Sequence, residues 1–519
     1  MARKLMDFLE EAHIELARED NKSENRLPLS ATLAYPQKET GPSQSDMAAY
    51  ISFASLQGQR ILDTFQEALI VNHFDCDGIT SGSIVALALK AKNIPFKMLT
   101  IKKMDAQVIE TVRSDPSRYV IFVDIGAGFL NQINEIAKTG KSIVIIDHHA
   151  PEEINGRSDS FILVNCHNFN IDGAFFLCSA SSAYFVFAQN SPVEVAKRMA
   201  ELGIIGAVGD IQDAYGMRGL NRIMLDEAKK IKITSTLLDL RLFGRVSRTL
   251  VNFLNFSSEP FLPGLTGNPK GCALYLKKNN IPLFDDDGEK RTWLRYYDLP
   301  KELRMHLVGA LINFCLEKRI SNEAIKSMIG EVYLFPSENH QTELYDAYEF
   351  SSLLNACGRG GRPEIGVRLC MGEEGAYDES RQMLTQHRIE ISKGIAYARK
   401  SAEDMGSFYF LDAREQISDS VIGTVAGSYF NSGSIPRDKP IIALSIDENK
   451  NIKASGRGCK SLVEKGLDLG KIMLSGAKAA GGFGGGHSVA AGASMPNSDD
   501  ALKKFLMQVK KDLRQQLGN

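Results

Sequence analysis

The sequence predicts an α/β protein: a parallel sheet with flanking helices, then a largely helical insert, then a smaller α/β domain. Three observations lead there. Short Val/Ile-rich runs recur from residue 68, each followed by a helical pattern. Those runs are near-continuously apolar rather than alternating, so both faces of their sheet are covered. A second strand-and-helix series starts near residue 407. At 519 residues the chain exceeds one ordinary core, and two or three domains are the expectation.

In chain order, residues 1–20 suit an amphipathic helix, and 21–46, polar with three prolines, read as loop or linker. "ALIVNH" (68–73) is an apolar strand and "SGSIVALALKAK" (81–92) a helix. "FKMLTI" (96–101) is a strand, "DAQVIETVRS" a helix and "YVIFVD" (119–124) a strand. "FLNQINEIAKTG" reads as a helix ending at Gly140, before the strand "SIVIID" (142–147). Helices near 179–190 and 193–206 precede "AVGDIQD" (207–213). Residues 220–345 are more helical and irregular, broken at "LPGLTGNPKG". "DAYEFSSLLNACGRGGRPEIGVRLCMG" from 346 is helix, glycine-rich turn, helix. The second α/β series runs from "SFYFLD" (407–412) through "PIIALSID", "NIKASGRG" and "GGFGGGHSVAAGASM" to an amphipathic helix from 498. The expected divisions are therefore 1–50, 51–219, 220–345, 346–400 and 401–519.

With 44% hydrophobic and 24% charged residues the chain is that of a folded soluble protein. Sixty-one basic against sixty-three acidic residues exclude a histone-type basic binder. They leave room for a basic groove on a neutral body, because binding follows the local field. Eight scattered cysteines, none spaced C-x-x-C, suggest neither a zinc ribbon nor a redox motif. The N-terminus lacks an apolar signal core, and no apolar stretch nears the roughly 20 residues that cross a bilayer. A cytoplasmic protein with reduced thiols and no membrane contact is expected.

Four places in the first domain put acids or histidines just past a strand or helix: His73, Asp75 and Asp77 in "NHFDCDG", Asp124, Asp147-His148-His149, and Asp210. In an extended segment, positions i, i+2 and i+4 share a face. The alternating His73, Asp75 and Asp77 would therefore converge, with Gly78 permitting the turn and Thr80 or Ser81 capping the next helix. Taken singly, each acid reads as a cap or turn former. Together they lie on one rim, at the carboxyl ends where such sheets bind ligands. Carboxylates crowded there are strongly unfavourable without a cation. Mostly carboxylate donors with imidazoles suit Mn2+ or Mg2+. Four aspartates and two histidines match two divalent ions sharing a bridging carboxylate. Such a site points to a phosphoester hydrolase. His148 and His149 are adjacent on an extended backbone and so point to opposite sides, which divides their tasks.

"HFDCDGITS", "VDIG", "IDHHAP" and "GDIQD" resemble the four motifs of the DHH phosphoesterases, and "ASGRG" and "GGGHSVAAG" the companion DHHA1 domain. "NACGRGGRPEIG" is similar to a motif of RecJ nucleases, and the stretch "LRLFGRVSRTLVNFLNFSSEPFLPGLTGN" to archaeal RecJ-like proteins. The resemblance covers about 65–495 and implies a DHH catalytic domain and a DHHA1 substrate domain across a cleft. It implies that His73, Asp75 and Asp124 hold one ion and Asp77, Asp124, His148 and Asp210 the other, with Asp124 bridging. Asp147 would orient an imidazole and His149 would face the scissile phosphate. Bacterial RecJ usually lacks a histidine at the position of His73, so the site sides with the archaeal branch and related phosphatases.

Ser455 and Arg457 share one side of a strand, and "GGFGGGH" offers bare backbone N–H groups at Gly485 and Gly486 before His487. Such a loop suits a phosphate, although glycine runs are more often plain flexible loops. The resemblance implies that Arg359, Ser455, Arg457, Gly485, Gly486 and His487 hold a nucleotide end; the plain alternative for Arg359 is a salt bridge. If their segment is helical, Arg241, Arg245 and Arg248 would share one face, reading equally as phosphate contacts or as a solvated surface.

The expected function is a two-metal, single-strand-specific exonuclease on DNA or RNA, serving replication or repair. One alternative is a DHH phosphodiesterase on short oligonucleotides or cyclic dinucleotides. Another is a replisome scaffold, as in a eukaryotic helicase-associated relative of RecJ that has largely lost its metal ligands. Archaeal relatives bind the GINS replication complex, which makes GINS a candidate partner. Every ligand position here is filled, which favours chemistry.

Overall fold

The structure is a computed structural model that describes residues 41–257, 260–286 and 291–518. The helix expected over 1–20 and most of the 21–46 linker lie outside the described residues. The last residues of that linker are already structured: Ser43 caps the helix Gln44–Thr64, its Oγ accepting from the Asp46 N–H. Two compact units emerge, one taking the described residues up to Phe253 together with Leu276–Met383, the other Leu254–Tyr275 and the described residues from Leu384 onward.

The first unit centres on five parallel strands in the order β2-β1-β3-β4-β5. They are β1 (Ala68–His73), β2 (Phe96–Ile101), β3 (Tyr119–Val123), β4 (Ser142–Ile146) and β5 (Phe161–Val164). The Val and Ile side chains of β1, β3 and β4 are buried on both faces, as continuous apolar strands require, while β2 and β5 at the edges are partly exposed. On one face Leu69, Val71, Val120, Phe122, Ile143 and Ile145 meet the helices Ala106–Ser114 and Leu130–Ala137. Cys76–Ala91, Ser179–Phe187 and Val193–Gly209 form a mutually packed helical layer, with Cys76–Ala91 set against β1.

The 220–345 stretch is mainly helical, with Gly219–Lys230, Pro269–Lys278 and Lys301–Glu317 as its longer helices. It also carries two antiparallel pairs that its irregular pattern did not announce. β6 (Ser235–Leu240) pairs with β9 (Ile329–Leu334), and β7 (Phe284–Asp286) with β8 (Arg291–Trp293). Residues 241–248 are not helical, so the arginine row expected there does not form. Arg241 pairs with Asp213 at 2.7 Å and buried Arg245 with Asp346 at 2.6 Å, while Arg248 lies over the Phe243 ring. Two of the three are thus committed to carboxylates rather than presented to a ligand. Helix, turn and helix follow as expected at Ala347–Arg359 and Pro363–Cys370.

The second unit is a six-stranded sheet in the order β10-β11-β12-β13-β15-β14. Its strands are β10 (Glu403–Asp404), β11 (Tyr409–Asp412), β12 (Ile441–Ile446), β13 (Ile452–Arg457), β14 (Phe483–Gly486) and β15 (Ala490–Met495). The β11–β12 pair is parallel and the other pairs antiparallel. Ile441, Leu444, Ile452 and Ala454 share a core with Val425, Phe430, Met473 and Phe505 of its helices. Among the described residues no helix is long and apolar enough to cross a membrane, and all eight cysteines are buried free thiols.

Candidate metal centre

The acids and histidines expected at the sheet rim do converge, by a route that differs from strand alternation. The helix begins at Cys76, five residues before the expected Ser81, because Asp75 caps it: its Oδ1 accepts from the Gly78 N–H at 3.1 Å. Thr80 and Ser81 do not cap; their hydroxyls donate back to the carbonyls of Cys76 and Gly78. Asp77 therefore sits in the first helical turn. Gly78 serves close approach rather than a turn, since a Cβ there would lie 2.3 Å from the His73 carbonyl oxygen.

Asp77 is 3% exposed and accepts the N–H groups of Ser179 and Ala180 at 2.8 Å each, at a helix N-terminus where a carboxylate is favoured. Asp124 follows β3 in the left-handed conformation, φ +60°, which an aspartate tolerates better than most residues. Its Oδ2 lies 3.4 Å from His73 Nδ1 and its Oδ1 3.5 Å from His148 Nε2. Asp75 Oδ2 lies 3.0 Å from His73 Nδ1. Asp77 Oδ2 and Asp210 Oδ2 lie 3.9 Å and 3.7 Å from His148 Nε2. The rim thus holds two donor groups, His73–Asp75–Asp124 and Asp77–His148–Asp210, each with ligand atoms within 4.8 Å of one another. Asp124 faces both histidines.

The tautomers follow from the partners. His148 Nδ1 meets the Gly173 carbonyl at 2.8 Å; a carbonyl only accepts, so Nδ1 carries the proton and the Nε2 lone pair faces the carboxylates. His149 Nδ1 meets Asp147 Oδ1 at 2.7 Å, while Asp147 Oδ2 accepts from the Ala127 N–H. Asp147 therefore orients His149, and a backbone carbonyl orients His148. The His149 side chain is 58% exposed, against 7% for His148. Asp124, His148 and His149 also form a third group within 4.8 Å.

Charge crowding is visible in the acid–base equilibria. Burial, then the Asp124 and Asp210 carboxylates, push Asp77 well above the usual carboxylate range. Burial likewise raises Asp210. Burial opposes ionisation of Asp124 too, but the His148 and His73 imidazoles beside it outweigh that and hold the carboxyl well below its usual range. Burial disfavours charge on His73, yet hydrogen bonds with Asp124 and Asp75 raise it to about 10. The residues fit divalent ions on one further observation: Asp124 Oδ1 is buried and has no hydrogen-bond partner, a costly state for an ionised oxygen unless a cation takes its lone pair.

Several supporting residues escape motif reading. Gln212 Nε2 donates to Asp210 Oδ2 at 2.7 Å and to the Gly173 carbonyl at 2.8 Å, and its Oε1 accepts from Asn221. It thereby ties one ligand to the group that orients another. Gly173 admits no side chain, since a Cβ would lie 1.8 Å from the His148 carbonyl oxygen. Asn355 Oδ1 accepts from the Cys76 N–H, between the two acids of that turn. Gln212 and Asn355 stand inside "GDIQD" and "NACGR", so their sites were marked although their roles were not.

Arg359 belongs to this first unit, at the C-terminal end of Ala347–Arg359, near enough to Asp75 to feel its charge. The other expected phosphate holders belong to the second unit. Register aligns Ser455 of β13 with Gly492 of β15, and Gly492 with Gly485 of β14, so Ser455 and Gly485 occupy one row. Arg457 pairs with Ala490, whose N–H donates to the carbonyl of His487 in the same turn. Gly486, at φ +133°, pairs with Ala491. Ser455 and Arg457 both face the helix Ile422–Asn431, where a Cβ on Gly423 would meet Arg457 at 2.4 Å.

Residues 67–207 match the DHH family, N-terminal domain, residues 242–329 the DHH-CID domain and residues 407–515 the DHHA1 domain. An uncharacterized protein of Methanocaldococcus jannaschii is 26% identical over 468 residues, 88% of this chain and 96% of that protein. RecJ of Thermus thermophilus, solved in complex with Mn2+, superposes with a TM-score of 0.54 at 14% identity. The match covers 90% of this chain but 55% of that RecJ, so the chain spans about half its length. CDC45 of Entamoeba histolytica superposes with a TM-score of 0.59 at 12% identity, over 90% of this chain and 99% of that one. At such identities the likeness to the solved structures is one of fold.

Proposed function

Given that the chain belongs to the DHH/DHHA1 proteins and has a RecJ-like fold, we propose that it is a two-metal exonuclease that hydrolyses phosphodiester bonds of single-stranded DNA or RNA. His73, Asp75 and Asp124 hold one divalent ion, and Asp77, Asp124, His148 and Asp210 the other. Mn2+ or Mg2+ bound there supplies charge neutralisation and an activated water for phosphoryl chemistry. The observation that carries this reading is Asp124, with one oxygen toward each histidine and Oδ1 buried without a partner.

The chain's own groups do the positioning. The Gly173 carbonyl keeps the His148 lone pair on the carboxylate side. Asp147 holds His149 by Nδ1, leaving Nε2 of this exposed ring as a donor or acceptor for the scissile phosphate. In the second unit Ser455, Arg457, His487 and the N–H of Gly486 bind strand phosphates. The Gly485 N–H, two residues along from the reciprocal His487–Ala490 pair, is instead taken by the ladder opposite Gly492. In the first unit Arg359 is a phosphate contact of its own. The partners of this reading are single-stranded nucleic acid and a GINS-type replication complex, in a cytoplasmic setting.

The CDC45-like fold supports a second reading, a scaffold without chemistry; the complete donor set supports hydrolysis over it. The test uses DNA and RNA strands labelled at either end, with Mn2+ or Mg2+, beside Asp77→Ala. Release of nucleotides by the unaltered chain and loss in the variant are expected. Equal activity in both refutes the two-metal reading. No release at all leaves the scaffold, and cleavage of a dinucleotide but not a long strand leaves the small-substrate phosphodiesterase.

A further inference from the structure

Ile211, the residue after Asp210, is held in the left-handed conformation at φ +59°. The helix Val193–Gly209 ends there: the Ile211 N–H donates to the Val208 carbonyl at 3.1 Å and the Gln212 N–H to the Ala207 carbonyl at 3.0 Å. Such a terminus favours glycine at the left-handed position, and a β-branched side chain there is strained. Ile211 is nevertheless 72% exposed, so the fold gains no burial in exchange.

Two more large side chains stand out of the same pair of loops, Tyr215 at 54% and Phe175 at 36% exposure. Phe175 follows Gly173, whose carbonyl takes hydrogen bonds from both His148 and Gln212. Tyr215 lies in the turn closed by the Gly216 N–H on the Asp213 carbonyl. Arg218 joins the two loops, its guanidinium 5.5 Å and 5.4 Å from the Phe175 and Phe176 ring centres. The loops that hold Asp210 and orient His148 therefore carry three apolar side chains outward.

Strain kept at a site without structural gain points to a contact with ligand. On the exonuclease reading the phosphate goes to the rim, and the apolar part of the substrate is the nucleobase. Every base has a face that stacks, whatever its identity. We propose that Ile211, Tyr215 and Phe175 form a platform that receives unpaired bases beside the bound phosphodiester. This rests on the exonuclease reading and adds the means by which an unpaired strand is chosen: a duplex hides the base faces that the platform contacts.

The test measures binding of the full chain with Mn2+ to labelled, hydrolysis-resistant phosphorothioate strands, one with bases and one with abasic units, by fluorescence anisotropy. Ile211→Gly, Tyr215→Ala and Phe175→Ala are each expected to weaken the base-bearing strand about five-fold or more. The abasic strand keeps its affinity. Ile211→Gly is also expected to raise the melting temperature, since glycine relieves the strain, so its lost affinity does not stem from misfolding. Unchanged binding, or equal loss on both strands, overturns the platform. So does a chain that sediments as a dimer and becomes monomeric in the variants with strand binding intact, which would make the patch a self-association face. If the unaltered chain neither binds nor cleaves any strand, the exonuclease reading falls and the platform with it. If it cleaves while the variants bind normally, the platform alone falls.

Discussion

Replacing His148 and His149 separately by alanine tests how the adjacent imidazoles divide their work. His148 Nε2 lies 3.5 Å from Asp124, 3.7 Å from Asp210 and 3.9 Å from Asp77. Removing it deletes a neutral donor and leaves three carboxylates, of which Asp77 and Asp124 are each 3% exposed. Loss of a group that merely orients a ligand costs about 10–100-fold in metal affinity, so loss of the ligand itself should cost about 100-fold or more at one of the two ions. His149 is 58% exposed and is held by Asp147, not by the Asp77–Asp210 set. His149→Ala should therefore keep Mn2+ affinity near that of the unaltered chain while slowing strand cleavage by about 10²–10⁴-fold, the range for a lost proton-transfer group. Calorimetric Mn2+ titration without substrate reads the first effect and single-turnover cleavage the second, with thermal melting to verify folding. If His149→Ala weakens Mn2+ as much as His148→Ala, the split is wrong and His149 is a ligand in the Asp124–His148–His149 group.

Three further outcomes follow from buried contacts. Gln212→Leu removes donors to Asp210 and to the Gly173 carbonyl, and should lower Mn2+ affinity about 10–100-fold without unfolding the chain; unchanged affinity in the same titration would refute it. Arg245→Met leaves the fully buried Asp346 without its cation, and should cost about 3–5 kcal/mol in urea unfolding, while any folded variant keeps the salt dependence of strand binding. Burial, then the Asp346 carboxylate, raises Glu349 to about 7. Between the ordinary glutamate value and about 7 the folded state holds a proton that the unfolded state has released. Stability from this group is therefore present at low pH, falls as pH rises through that window by on the order of 3 kcal/mol, and is flat above it. Glu349→Gln should flatten that slope in urea midpoints taken at pH 5 and pH 7.5; parallel slopes would refute the assignment.

The central strands of the first sheet were legible because a strand buried on both faces must be apolar throughout, and "ALIVNH", "YVIFVD" and "SIVIID" are nearly so; the four-residue edge strand β5 was too short to stand out. The ligand types were legible for a related reason: an acid or histidine directly after such a strand stands where ligands bind. The start of the helix after β1 was not. "NHFDCDG" continues an alternating pattern, but the Asp75 carboxylate captures the Gly78 N–H and turns the chain into a helix two residues after the strand ends. The arginines of 241–248 show the opposite limit of a local pattern. Their spacing suits a helix face, yet Asp213 and Asp346 bind two of them in the interior.

By itself the sequence determined the strand-and-helix order, the class of donor at each strand end and hence the class of ion and chemistry they suit. Those properties follow from local pattern and side-chain type. Only the tertiary structure decided which donors lie within ligand distance of one another and which partner orients each histidine. It alone also showed that a strained isoleucine is carried outward beside the site. Such pairings join residues far apart in the chain, such as His148 with Asp210 and Arg245 with Asp346, and they depend on strand order and helix packing. A local pattern carries no record of them.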